Sequence, residues 1–355
     1  MKRRWRIGIA LGVLVAAIVV VPVAYIEGGC GTPVQTPPVA PPASLLTPAE
    51  RRPLARTFLT YPEWHIVYEA DAFARHLMRG QPPSSFAYGT QIASFWTSYC
   101  AVNRVTRGHA AAGDAKVMIY TIGISYTVEL AIKAAYERTI GRLFEWASGW
   151  HSADDRYAAA VQARYGAFMH ETPWYRFRFG QALAGLWRTH EPELHARHWE
   201  RRVALSSEYG VKAGYAWAID RATGATLGRD EPTLRFVTTA SPAAIRAIDP
   251  RLTPVRTLAG GATVVGAPRY QQFNALLDKL AAARVPLVDI AGNHTIFVTL
   301  LLPAARPDPA GALLTMPIER AGWRRVGVGV PVPRLTALLR NTRATGGIVE
   351  HIYDY

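Results

Sequence analysis

Apolar and polar positions divide the chain into four textures. Ile7 to Ile26 is an uncharged, mostly apolar run of twenty residues, which at about 1.5 Å per residue spans the roughly 30 Å of a bilayer's hydrocarbon core. Residues 32–48 carry six prolines in seventeen positions, and polyproline II at about 3.1 Å per residue makes this a spacer of up to about 50 Å. From Pro62 onward apolar residues recur at spacings of three and four. Ile66, Ala70, Phe73 and Leu77 form one stripe of a helix that has Pro62 in its first turn and ends near Gly80. A helix over 88–106 gathers Ile92, Phe95, Trp96, Tyr99 and Val102 on one side, with Gly108 beyond it. Ser152-Ala153-Asp154-Asp155 has the form of a capping box opening a helix with Tyr157, Val161, Tyr165 and Phe168 on one face. A short helix then runs to about Thr189, and Pro192 opens a helix, or two abutting ones, that ends near Gly224.

The texture changes from about Thr233 to a period of two. Residues 234–239, 254–258, 262–266, 287–290, 295–302, 323–332 and 348–353 read as strands, with helices near 241–248, 270–284 and 333–343. Residues 303–312, rich in Pro and Ala, read as a loop. This mixture resembles ferredoxin-like folds in outline, a two-layer α+β arrangement that carries no activity by itself. The expected fold class is therefore α+β: an N-terminal transmembrane helix, an all-helical domain with an internal helix duplication, and a C-terminal two-layer α+β domain. The expected boundaries are 1–26 for the basic N-terminus and anchor, 27–49 for a Gly/Pro-rich linker, 50–228 for the helical domain and 229–355 for the α+β domain.

The duplication lies at 127–142 and 206–221, TVELAIKAAYERTIGR and SSEYGVKAGYAWAIDR, six of sixteen positions being identical without a gap. The shared pattern includes Glu129/Glu208, Lys133/Lys212, Tyr136/Tyr215 and Ile140/Ile219. At 100° per residue these four positions fall within an arc of about 60°. A charged pair is thus repeated on the otherwise apolar and aromatic face of two helices. Glu followed by Lys four residues on is also the favoured order for an exposed helical pair. Burial would instead demand that the charges pair, each Glu meeting a Lys of its own or of the other copy. In a third reading the charges line a cavity for an ion or a polar ligand.

Val117 to Val128 contains no charged residue, but lengthening this run to a full span brings in Glu129 and Lys133, each costing a few kcal/mol at bilayer depth. A buried or re-entrant helix is expected there rather than a second membrane span. The second copy follows His195-Ala196-Arg197-His198-Trp199-Glu200-Arg201-Arg202, a stretch too polar to enter a membrane.

Charge and composition narrow the chemistry. The net charge of +14 comes from 35 Arg and 5 Lys against 26 acidic residues, with the basic residues scattered singly, so no nucleic-acid partner is expected. Lys2, Arg3, Arg4 and Arg6 precede the apolar run and no basic residue follows until Arg51, which places the N-terminus in the cytoplasm and the body in the periplasm of a bacterial inner membrane. Neither Pro22-Val23-Ala24 nor Tyr25-Ile26-Glu27 offers a good cleavage site, so an uncleaved anchor is expected. Cys30 and Cys100 are the two cysteines; in an oxidising compartment they can pair, Cys30 can instead be lipidated, or they are unrelated thiols.

Other candidates are Glu63 and His65 within Tyr61-Pro62-Glu63-Trp64-His65, either a helix start or an acid/base site. In Pro173-Trp174-Tyr175-Arg176-Phe177-Arg178-Phe179, the arginines either stack on Trp174 and Phe177 or meet lipid headgroups. His190-Glu191-Pro192-Glu193-Leu194-His195 has the wrong spacing for a zinc-protease helix, and His195 and His198 lack a third ligand, so no metal or cofactor is expected. Phosphate loops, nucleophile elbows and CxxC motifs are absent from the sequence. The expected function is a non-enzymatic binding or assembly role at the membrane, its partners being the lipid bilayer and an envelope protein or a small polar ligand. The competing expectation is an enzyme or transport component that uses Glu129, Lys133, Tyr136, Glu208, Lys212 and Tyr215, helped by Glu63 and His65.

Overall fold

The structure, a computed structural model, describes residues 16–30, 43–51, 54–106, 112–188, 196–226, 233–318 and 320–353. Mixed helix and sheet make it an α+β protein. The helices are α1 (Ala16–Gly29), α2 (Leu54–Met78), α3 (Tyr88–Thr106), α4 (Ala112–Tyr136), α5 (Arg142–Ser148), α6 (Ala153–Met169), α7 (Phe179–Leu186), α8 (Ala196–Thr226), α9 (Pro242–Ile248), α10 (Tyr270–Ala282) and α11 (Val332–Ala344). A wider π turn, Glu137–Gly141, joins α4 to α5. The strands are β1 (Thr233–Thr238), β2 (Thr253–Thr257), β3 (Thr263–Pro268), β4 (Leu287–Ile290), β5 (Thr295–Pro303), β6 (Ala312–Pro317), β7 (Trp323–Pro331) and β8 (Ile348–Tyr353). The chain forms two compact units, one of residues 1–63, 94–125 and 231–355, the other of residues 64–93 and 126–230.

The first unit holds both sheets. They are four-stranded and antiparallel, ordered β2-β3-β1-β4 and β6-β7-β5-β8. The second order repeats the first, strand for strand, with a loop in place of the helix α9. Alternation along β5 explains the packing: Ile296, Val298, Leu300 and Leu302 face one way and join Phe236, Phe273, Leu276, Leu335 and Leu339 in a single core. Helix α10 lies against α11, and Asn274 ties them to β8, its amide contacting His351 Nδ1 at 2.6 Å and its carbonyl accepting the Ile352 N–H at 3.2 Å.

The opposite faces are covered by the chain ahead of residue 64. Leu46 packs on Val237 and Val264 of the first sheet, while Glu50 accepts two hydrogen bonds from Arg256 at 2.5 and 2.7 Å. Those Arg256 bonds hold the Glu50 carboxyl down at about 2. On the second sheet, Thr57 donates to the Tyr353 carbonyl at 2.8 Å and accepts the Phe297 N–H at 3.1 Å. The Phe58 and Tyr61 rings lie 5.5 and 5.3 Å from that of Phe297. Gly327 is required here, since a Cβ would come within 2.5 Å of the Phe297 ring. This packing corrects the expected start of α2. Pro62 is inside the helix rather than in its first turn, because burial of Thr57, Phe58 and Tyr61 extends the helix upstream despite the lost N–H. A second correction is β6, Ala312–Pro317, which starts at the last residue of the stretch read as a loop, 303–312, and continues through residues for which no element was expected.

Also in this unit, a Cys30–Cys100 disulfide with Cα atoms 5.4 Å apart fastens the residue after α1 to α3. Asn103 donates to the Ile26 carbonyl at 3.2 Å. Glu27 takes a salt bridge from Lys116 at 3.1 Å and a hydrogen bond from Tyr120 at 2.7 Å. The first nine residues of the expected anchor, 7–15, and most of the expected spacer, residues 31–42, lie outside the described residues.

The second unit is helical. Ser152 and Asp155 form the expected capping box of α6, Ser152 Oγ accepting the Asp155 N–H at 3.1 Å and Asp155 accepting the Ser152 N–H at 3.2 Å. Helix α8 is a single element of 31 residues; the expected start at Pro192 lies outside the described residues. Among the described residues one helix, Lys116–Ser148, is long and apolar enough to cross a membrane. Only 22% of its most apolar window is buried, which counts against the buried form, and not the re-entrant form, of the helix expected there.

Candidate functional site: a two-part ion network beside a cavity

The two copies of the repeat bring their charges together. Lys133 Nζ and Lys212 Nζ each donate to Glu208 Oε1 at 3.0 Å, and Lys212 reaches Glu129 at 2.8 Å. The stripe folds this way because the helix period sets Glu129 and Lys133 on one face of α4 and Glu208 and Lys212 on one face of α8. Aromatic rings close around the ammonium groups, Phe73 at 4.4 Å from Lys133 Nζ and Tyr165 at 5.4 Å from Lys212 Nζ. Burial raises the Glu208 carboxyl, but the attraction of Lys133 and Lys212 outweighs it and holds the group well below the usual carboxylate range.

A fifth member, Glu69 of α2, escaped the sequence reading. It is 8% exposed, and burial, opposed by Lys133 and reinforced by Glu129, pushes its carboxyl up to about 8. Three carboxyls face two ammonium groups, and one proton on Glu69 makes the cluster neutral. Its place in the stripe Ile66–Ala70–Phe73 marked Glu69 only as a neighbour of core positions.

The tyrosines of the repeat part company. Tyr136 donates to Glu200 at 2.6 Å, whereas Tyr215 is 46% exposed with its ring 5.4 Å from Trp174. Glu200 belongs to a second network. Arg197, 1% exposed, bonds Asp155 at 2.8 Å, Glu200 at 3.1 Å and the Gly141 carbonyl at 3.1 Å. Arg201 bonds Glu137 at 2.9 and 3.2 Å and Glu200 at 2.8 Å. Burial opposes the Arg201 charge, but Glu200 and Glu137 more than offset it, so Arg201 stays a cation. His198 pairs with Asp154 at 2.5 Å. A signal for this network was present in the sequence: Arg197, Arg201, Glu208 and Lys212 fall within an arc of about 60° on α8.

Both networks contribute to the wall of one cavity of about 360 Å³. Lys133 and Glu208 come from the first network, Glu137, Arg201 and Asp155 from the second. The rest is largely apolar, including Phe73, Leu77, Trp150, Ala159, Leu205 and Tyr209. Glu69, Glu129, Lys212, Tyr136, Tyr215, Glu63 and His65 do not line it. His65 is buried with its ring 6.5 Å from that of Tyr126, and Glu63 is half-buried. A second, more open groove of about 320 Å³ runs between residues 175–180 and α8.

Among the described residues no group of three or more His, Cys, Asp or Glu is arranged to hold a metal ion, and His195 lies outside them. Protein-family models, curated proteins and solved structures contain no match to this chain.

Proposed function

We propose that this chain is a membrane-anchored protein of the bacterial envelope with a non-enzymatic binding role, and that the cavity beside the ion network holds a small polar ligand. The make-up of that cavity carries the reading. An apolar wall of Phe73, Leu77, Trp150 and Tyr209 faces fixed charges of both signs, Lys133 and Arg201 with Glu137 and Glu208, the composition of a small-molecule site. Because those charges already hold one another, a dipolar or zwitterionic ligand, which can bridge an ion pair without unbalancing it, fits better than a bare ion.

A binding role is favoured over catalysis by the pairing. Each ammonium group of the repeat has a carboxylate within 3.0 Å, which keeps both lysines charged and so unavailable as general bases. The odd count of carboxyls favours a second reading, a proton-linked transport component in which Glu69 carries the proton.

The anchor is taken as residues 7–26, with the basic N-terminus cytoplasmic and the body periplasmic. The basic residues ahead of the apolar run support this topology, and so does the Cys30–Cys100 disulfide, which persists in an oxidising compartment. The disulfide also occupies the Cys30 sulfur, arguing against lipidation there. Strand order supports reading residues 233–353 as two ferredoxin-like halves, the second lacking its first helix.

Ala159→Phe, which fills the cavity from α6 without touching an ion pair, tests the ligand site. Glycerophosphoethanolamine, taurine and glutamate are the probes, read by thermal unfolding of the full-length protein in detergent. At least one probe should raise the wild-type Tm and leave the variant unchanged. Failure of all three to shift the wild-type Tm would make the cavity a packing void.

A further inference from the structure

We propose that the open groove between residues 175–180 and α8 is a contact site for anionic lipid headgroups, through which the helical unit itself rests on a membrane surface. The inference depends on the membrane anchorage proposed above and is independent of the ligand cavity.

The local sequence sorts its side chains into two sets. Phe177 and Phe179 turn inward and cluster with Tyr165, at ring separations of 5.1 and 5.3 Å. Arg176 and Arg178, between and beside them, are left exposed. Arg176 lies 5.9 Å over the Tyr175 ring, and among the described residues neither arginine pairs with a carboxylate. Arg197, Arg201 and Arg202 of the same unit, by contrast, all face carboxylates. The opposite wall is Trp217, 62% exposed, with Arg221 held 5.0 Å over its ring. The lining carries two guanidinium groups, Arg176 and Arg178, against one carboxylate, Asp220.

Guanidinium groups without internal partners attract phosphate in a bidentate fashion, while tryptophan and tyrosine are the side chains that settle at headgroup depth. Exposed Val211 and Tyr215 on α8 add the apolar edge that such a surface buries in the acyl boundary. A soluble protein partner would find an isolated apolar face equally acceptable; the unpaired arginines single out an anionic one.

The test uses the full-length protein reconstituted in phosphatidylcholine vesicles, with or without about 30% phosphatidylglycerol, and followed by hydrogen exchange. Flotation with the phosphatidylcholine vesicles establishes the anchor separately; failure there refutes the anchorage and not the groove. Phosphatidylglycerol should slow exchange over 173–180 and 211–221, and salt at about 0.5 M should reverse the effect. Arg176→Gln with Arg178→Gln, both exposed and so compatible with folding, should weaken headgroup affinity roughly 30-fold and abolish the protection. Equal exchange in the two vesicle types, or protection retained in the double variant, would overturn the proposal. Protection reproduced by about 10 mM inorganic phosphate in phosphatidylcholine vesicles would overturn it as well, assigning the arginines to a soluble anion.

Discussion

Replacing Glu69 by Gln keeps the side chain's shape and its hydrogen-bonding capacity but removes its proton equilibrium. In the folded protein burial pushes this carboxyl up to about 8 from an ordinary value of 4.5. Between those two values the folded chain binds more protons than the unfolded chain, so stability is greatest near the low end and falls as pH rises toward 8. The interval corresponds to a ceiling of roughly 5 kcal/mol at about 1.36 kcal/mol per pH unit, and rearrangement of the neighbouring ion pairs brings the expected loss to about 2 to 3 kcal/mol. Glu208, held below the ordinary range, contributes stability above its unfolded value and loses it only at lower pH, equally in both proteins. The assay is urea unfolding of the full-length protein in detergent at about pH 5.5, 7 and 8.5. Wild type should weaken steadily across this range, whereas the Glu69→Gln protein should be nearly level and more stable than wild type by about 2 kcal/mol at the top. Parallel curves would refute the claim that Glu69 holds the cluster's balancing proton.

Arg201→Met leaves Glu137 and Glu200 facing each other without their shared guanidinium, and chemical denaturation should register a loss on the order of 3 to 5 kcal/mol. Maleimide mass-tagging of membranes should label neither Cys30 nor Cys100 until a reductant is added, and Cys100→Ser should expose one thiol. Reporter fusions after residues 50, 112, 150 and 230 should all report the periplasm. A cytoplasmic signal at 150 and 230 would instead make Lys116–Ser148 a second membrane span.

Local chemistry was the most legible part of the chain. The Ser152/Asp155 box, the stripe of α2 from Ile66 to Leu77 and most strands follow from short-range spacing, and they occur where the spacing puts them. Pro62 misled because a proline at a helix start is the commoner case; the burial that extends α2 upstream comes from Phe297 and Tyr353, far along the chain. Strand β6 is an edge strand closed by Pro317, where pairing with β7 rather than intrinsic propensity fixes the backbone.

In the site, pairing of each duplicated Glu with a Lys of its own or the other copy was one reading of the helix period; the period does not show that Glu208 takes both ammonium groups and Glu129 only one. The polarity of their stretch marks Arg197 and Arg201 only as too charged for a membrane; the signal for the network is their angular position, in line with Glu208 and Lys212. The separation of Tyr136 from Tyr215 was invisible for another reason: identical positions in two copies acquire different neighbours once the helices pack, Glu200 for one and Trp174 for the other.

Native mass spectrometry of the full-length protein, released from its own membranes into mild detergent, tests the central claim most directly. The cavity of about 360 Å³ should carry a co-purifying small molecule, seen as a discrete added mass on the wild-type protein and absent from the Ala159→Phe variant. A wild-type protein that flies at its bare mass, or an adduct that survives the filled cavity, would contradict the assignment of this site as the place where the protein binds its ligand.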